Sequence, residues 1–168
     1  ANTRNNPVED IESHLPLRVN RYELRADVIG AGQWRGGLGA VREFEFLADG
    51  GISVEGDGHV QRPWGFVGGS DGQPAALCAY RADGGSEALP SKLPYRTAKA
   101  GDRFEALGPA GGGYGNPFER EPERVRADVL DGLISRATAK TAFGVVLTDA
   151  LEVDRAATES QRAARPPA

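Results

Sequence analysis

Five runs of adjacent glycines punctuate the chain, at Gly36-Gly37, Gly50-Gly51, Gly68-Gly69, Gly84-Gly85 and Gly111-Gly112-Gly113. Glycine supplies 23 of the 168 residues, about twice its usual share. Such runs provide positive φ angles that other residues adopt only at a cost. At this spacing they read as turns between short strands. Long uninterrupted helices are therefore excluded from most of the chain.

The segments between the glycines fit that reading. Leu17, Val19, Tyr22 and Leu24 alternate with a slip near Asn20-Arg21, which predicts a strand with a bulge. Val41–Leu47 is a stronger strand, with Phe44 and Phe46 on one face and charges between them. Gly51–Glu55 follows after a glycine turn, so the two segments read as an antiparallel hairpin. Pro63–Val67, Ala76–Tyr80 and Gly101–Leu107 are shorter strand candidates.

The character changes after Asn116-Pro117. Pro122 suits a first helical turn, and Glu121 and Glu123 suit its positive end. Gly132 can end this helix in a left-handed cap. Ser135 can cap a second helix running to Phe143, which Gly144 ends. Val145-Val146-Leu147 reads as an extended piece, and a third polar helix is expected over Asp154–Ala164. The fold class expected is α+β. A glycine-rich, mostly antiparallel β domain spans residues 1–117, and two or three short helices occupy 118–168.

Net charge is −4, the wrong sign for a nucleic-acid binder. No apolar stretch approaches the roughly 20 residues needed to cross a bilayer. The start of the chain is polar and has no signal-peptide core, so a cytoplasmic location is the default expectation. The single cysteine, Cys78, allows neither an internal disulfide nor a cysteine-based zinc site.

Several residues could carry chemistry. Gly111–Gly115 is either a loop whose bare amides approach an anion, or a sharp turn joining the β and helical parts. It is not a phosphate-binding P-loop, because no Gly-Lys-Ser/Thr follows. Asp57 and His59 lie two apart near Glu55 and form a weak candidate metal site, against a solvated hairpin end. His14 precedes Leu15-Pro16 and reads as a surface histidine. Cys78 reads as a small buried residue. Trp34 and Trp64 read as packing residues. No nucleophile elbow and no helical H-E-x-x-H are present. On these residues alone the chain is not a self-sufficient enzyme.

Several segments together resemble the hydantoinase B/oxoprolinase family, which includes subunits of acetone and acetophenone carboxylases. Asn2-Thr3-Arg4-Asn5-Asn6-Pro7-Val8-Glu9 is similar to N-T-R-N-T-P-x-E, with Asn6 at the threonine. Tyr22–Arg25, Gly30–Gly32 and Trp34–Gly39 follow R-Y-x-L-R … G-x-G-x-[WY]-R-G-G-x-G. Pro63-Trp64-Gly65 with Gly68-Gly69 follows P-W-G-x-x-G-G, and Leu89–Lys92 follows L-P-x-K. Lys99–Asp102 and Gly111–Pro117 follow K-A-G-D … G-G-G-Y-G-D-P. Here Ala110 stands where the family has a further glycine, and Asn116 stands at the aspartate.

The resemblance implies the C-terminal part of a much longer subunit. The missing N-terminal region would carry a divalent metal on its own Asp and His residues, and none is expected in this chain. ATP and Mg²⁺ would be bound by a larger A-type partner. Such assemblies use ATP to open a cyclic amide, or to carboxylate a ketone. The resemblance also assigns candidate roles here. Asn2, Thr3, Arg4 and Asn5 would hold a carbonyl or phosphate, and Gly112, Gly113 and Tyr114 would close the pocket. The alternative is that all of them brace the joint with the N-terminal chain. Hydrolase component, carboxylase component and purely structural component are the three readings.

Overall fold

The structure is a computed structural model and describes residues 6–164. Its elements are helix α1 (Val8–His14), strands β1 (Leu17–Leu24), β2 (Ala40–Phe46), β3 (Gly50–Glu55), β4 (Ala76–Tyr80), β5 (Ser86–Leu89), β6 (Lys92–Ala98) and β7 (Arg103–Leu107), then helices α2 (Pro122–Leu130), α3 (Arg136–Phe143) and α4 (Arg155–Ala163). The α+β class is the one expected. The chain forms two units that alternate along the sequence. One takes residues up to Glu23, 40–59 and 75–108, and the other takes 24–39, 60–74 and 109 onward. These units do not follow the linear division at residue 117.

The first unit holds a five-stranded sheet of order β1-β2-β7-β4-β5 and a two-stranded sheet of β3 and β6. β7 pairs antiparallel with both β2 and β4. Phe46, Leu77, Ala79, Leu89, Ala98 and Phe104 form its core, with Ile52, Val54 and Leu93 packed against them. Phe46 and Phe104 meet edge to face at 5.6 Å. The hairpin expected between β2 and β3 does not form. Gly50 and Gly51 are themselves strand residues, opposite Ala98 and Thr97 of β6. The Tyr95 ring lies over Gly51, where any side chain would collide with it. β1 runs unbroken, and its slip in alternation marks the change from half-buried to exposed. Pro63–Val67 forms no strand, whereas α1, β5 and β6 form without a clear signal in the sequence pattern.

Charges inside this unit are paired. Glu43 lies in a strand whose alternation sets charge apart from the phenylalanines, yet it is buried, opposite Glu105. Arg103 donates to Glu43 at 3.1 Å and Arg21 donates to Glu105 at 2.8 Å, which offsets the repulsion of facing like charges. Asp102 closes the turn from Lys99. Its buried carboxylate accepts the Lys99 and Ala82 amides at 3.0 and 3.1 Å, and Arg81 at 2.7 Å. Burial alone would raise the pKa of this carboxyl group. The two amides and Arg81 outweigh that effect and hold it below the ordinary carboxylate value.

In the second unit the helix ends follow local chemistry. The Ser135 side chain accepts the Thr138 amide, and Gly144 closes α3 at φ +65°. The Asp154 side chain accepts the Ala157 amide at the start of α4. Ile29, Ala31, Val125, Ile134, Ala139, Phe143, Val145 and Leu147 form the core. A buried ion network ties helix to loop. Asp128 accepts two bonds from Arg35, at 3.0 and 2.9 Å, and one from Arg120 at 2.9 Å. Arg120 also donates to the Gln33 carbonyl, and Arg162 donates to the carbonyls of Arg120 and Phe143.

The same unit contains a crossing of bare backbones. Residues 110–115 run between residues 30–37 and 63–73. The Gly111 amide donates to the Gly37 carbonyl, Gly113 to Ser70, Tyr114 to Trp34 and Gly115 to Phe66, each at 2.9 Å. The Phe66 amide returns to the Gly113 carbonyl at 2.9 Å. A Cβ on Gly36 would overlap the Gly111 carbonyl, and one on Gly113 would overlap the Ala31 carbonyl. Gly37, next in sequence, has nothing within 4 Å of the same position.

Two measurements check this account. Gly36→Ala should lower stability in urea unfolding by about 3 kcal/mol or more, because backbone must move to admit one methyl group. Gly37→Ala should leave stability within about 0.5 kcal/mol of the parent. Asp102→Asn should cost about 2 kcal/mol at neutral pH. Because the folded pKa of Asp102 is depressed, its contribution is complete above the unfolded carboxylate value and is lost as pH falls through the folded one. The difference between variant and parent should therefore shrink on acidification below about pH 4.

Candidate functional site

The crossing spends its amides inward and turns its large side chains outward. Trp34 and Tyr114 pair across an antiparallel bridge, and Phe66 and Tyr114 across a parallel one. Trp64 meets Phe66 edge to face at 6.3 Å. All four rings are exposed, Trp64 by 67%. The Arg124 guanidinium lies 4.9 Å from the centre of the Trp34 ring, an attractive cation–π distance. Trp34 and Trp64, read as packing residues, do make ring contacts within this chain but are 52% and 67% exposed. Both stand on surface backbone that the crossing holds in place.

Val67 follows Phe66 and is 70% exposed. It holds φ +50°, Gly68 holds φ +88°, and the Gly69 amide closes the turn on the Phe66 carbonyl at 2.9 Å. Two successive positive φ angles favour asparagine or glycine at the first of them. A β-branched residue there costs on the order of 1 kcal/mol or more. The turn is why Pro63–Val67, apolar enough for a strand, does not become one.

The other candidates are placed as follows. Gly112 lies against the Trp64 carbonyl, and Gly113 is buried. The amides of Gly113 and Tyr114 are committed to carbonyls, so what Tyr114 offers outward is its side chain. Asn2, Thr3, Arg4 and Asn5 lie outside the described residues. Asp57 is exposed and ion-paired with Lys92 at 3.0 Å. The His59 ring packs on Gly56, and neither ring nitrogen has a partner among the described residues. No group of three or more His, Cys, Asp or Glu able to hold a metal occurs among the described residues. His14 is exposed at the end of α1, beside Asp10. Cys78 is half-buried in β4.

A cleft of about 420 Å³ in the first unit is lined by Arg81, Arg96, Lys99, Asp83 and Asp102, with Ala82 and Thr97. Its cations are already engaged: Arg81 with Asp102 and Glu87, Arg96 with Glu87, and Lys99 with Asp49. It shows no surplus charge for an anion. No helix among the described residues is long and apolar enough to cross a membrane.

Sequence reasoning did not single out the aromatic face or the buried Arg120–Asp128 pair. The signal for the first was available, since Trp64, Phe66 and Val67 lie between glycines that a paired strand would not tolerate. The second had no local signal.

Comparisons with known proteins agree with one another. The hydantoinase B/oxoprolinase family model matches residues 1–117. A candidate B-type component of a D-/L-hydantoinase from Pseudomonas sp. (strain NS671) is 55% identical over 164 residues, covering 96% of this chain and 28% of that protein. The beta component of the caprolactamase of Pseudomonas jessenii is 35% identical over 162 residues, covering 94% of this chain and 28% of its own length. The crystal structure of the ATP-dependent caprolactamase from that organism superposes with a TM-score of 0.78 at 33% identity, over 94% of this chain and 28% of that one. A nucleotide-free acetone carboxylase structure shares the fold, with a TM-score of 0.76 at 22% identity over 94% of this chain and 26% of that one. The chain thus spans little more than a quarter of these relatives. It belongs to the hydantoinase B/oxoprolinase family.

Proposed function

We propose that this chain is part of the B-type subunit of an ATP-dependent cyclic-amide hydrolase of the hydantoinase/oxoprolinase type. The observation that carries the reading is the 55% identity, across 96% of the chain, to a candidate D-/L-hydantoinase component of the B type. The caprolactamase match points to the same class, since that relative is an ATP-dependent enzyme named for a cyclic amide. The carboxylase reading rests on likeness of fold at 22% identity, so the hydrolase is preferred.

In this reading the chain completes and braces an active site carried mainly by other polypeptide. The remainder of the B-type subunit supplies the divalent metal, and ATP and Mg²⁺ are held by an A-type partner. The residues described here offer no metal cluster, so no chemical step is assigned to a metal on this chain. Its own contribution is positional. The amides of Asn2 and Asn5, the Thr3 hydroxyl and the Arg4 guanidinium suit a substrate carbonyl or phosphate. The exposed Tyr114 side chain, on backbone immobilised by the crossing, suits the wall of a pocket. The committed amides around it favour bracing, and leave to the phenol any direct contact with substrate.

The test is reconstitution with the rest of the B-type subunit and an A-type partner. ATP-dependent opening of a hydantoin ring, with formation of ADP and the ring-opened product, is the expected activity. Arg4→Ala should leave co-purification intact and lower turnover about 100-fold or more. Loss of assembly instead would assign Arg4 to bracing alone. Bicarbonate-dependent consumption of a ketone, with no ring opening, would replace the hydrolase reading with the carboxylase one. Tyr114→Phe should retain assembly and lower kcat more than it alters KM if the hydroxyl contacts the reacting group.

A further inference from the structure

We propose that the exposed face formed by Trp34, Trp64, Phe66 and Val67 is the docking surface for the remainder of a hydantoinase B-type subunit, the part of the family's length that this chain does not span. The inference rests on family membership and on geometry, and holds whichever cyclic amide or ketone the assembly uses.

Four observations converge on this face. First, matched relatives are more than three times as long as the aligned region, at 28% coverage, so a large polypeptide of known kind accompanies this region in the family. Second, the face is too apolar for free surface. With Tyr114 at its edge it carries four aromatic rings, each more than half exposed, or about 400 Å² of aromatic area. That is the size of patch that marks an interaction site. Third, the face is rigid. Trp34 and Phe66 are held through backbone bonds to the Gly111–Gly115 segment, so association orders little that is not already ordered. Large aromatic residues on preformed backbone are what binding hot spots are made of. Fourth, Val67 holds a left-handed conformation that disfavours it and extends an apolar side chain outward. An exposed valine gains nothing there from the second unit itself. A partner surface that covers the turn supplies the missing contact.

Charge fits the rim of an interface. Arg124 flanks Trp34, and Asp71 accepts the Gly65 amide at 2.9 Å beside Trp64. The aromatic residues between them carry no ionised group, as in an interface whose centre is dry and whose edge is charged.

The test measures association without turnover. The chain is co-produced with the remaining B-type region as a separate polypeptide, and binding is followed by sedimentation and titration calorimetry. The double variant Trp64→Ser/Phe66→Ser should weaken association at least about tenfold. Leu130→Ser, at an exposed position on α2, should leave it unchanged. Val67→Asn should raise the melting temperature of the chain, because asparagine accepts the turn geometry, and should still weaken association. That opposite movement separates docking from folding, so the result stands even if the double variant folds poorly. Unchanged association in both face variants would overturn the proposal. So would a dimer of this chain alone that the same substitutions disperse, since a second copy would then be the occupant. Loss of ring-opening activity with association intact would bear on the hydrolase reading and leave this one standing.

Discussion

The contact between the Gly111–Gly113 backbone and the two segments beside it is the constraint on which the second unit rests. Carbonyl and amide groups meet there with no side chain between them. The hydrogen bonds to Gly37, Ser70, Trp34 and Phe66 have near-ideal length only because the segments approach closer than a Cβ permits. Each individual bond contributes modestly in water. Their sum, together with the space a methyl group would need, makes the crossing intolerant of substitution. It also determines what the surface offers, because backbones this close force their bulky side chains outward. The exposed Trp34, Trp64, Phe66 and Tyr114 are consequences of the same packing.

Buried charge supplies the second layer of rigidity. Arg35 belongs to the W-R-G-G element and Asp102 to the K-A-G-D element, two of the segments that carry the family resemblance. In the structure Arg35 is spent on Asp128, and Asp102 on Arg81 and two amides. The amides and Arg81 hold the buried Asp102 carboxyl below the ordinary carboxylate value. These residues hold loops at defined positions, and the family pattern here records architecture as much as chemistry. In the proposed assembly, turnover depends on how firmly this region holds whatever touches the substrate.

The helices after residue 117 were legible because their signals are local, whereas α1 was not. Pro122, Ser135, Gly144 and Asp154 act within one turn of themselves, and α2, α3 and α4 begin and end within a residue or two of where those residues place them. Strand identity was partly legible for the same reason, as Ala76–Tyr80 illustrates. Strand partnership was not. β2 is followed by a glycine pair and another strand, yet it pairs with β7, far along the chain. Pairing depends on which faces find a common core, and that is a property of all the strands together. Lys92–Ala98 carries Pro94 inside it, a position that only a sheet edge tolerates, so its text argues against the strand it forms. The candidate site was legible as a glycine loop, but the use of its amides was not. A free amide and one already donated to Ser70 look the same in a sequence.

By itself the sequence determined the family, the α+β class, the helix caps and the need for unencumbered backbone around residues 111–115. These follow from residue chemistry that acts over a few positions, or from motifs preserved in order. Tertiary structure alone decided that Gly36 admits no methyl group while Gly37 does. It decided that Glu43 is buried beside Arg103, and that two tryptophans read as packing residues stand more than half exposed. Each of those outcomes depends on which distant segment arrives within a few ångströms, and a linear chain does not carry that distance in any local pattern.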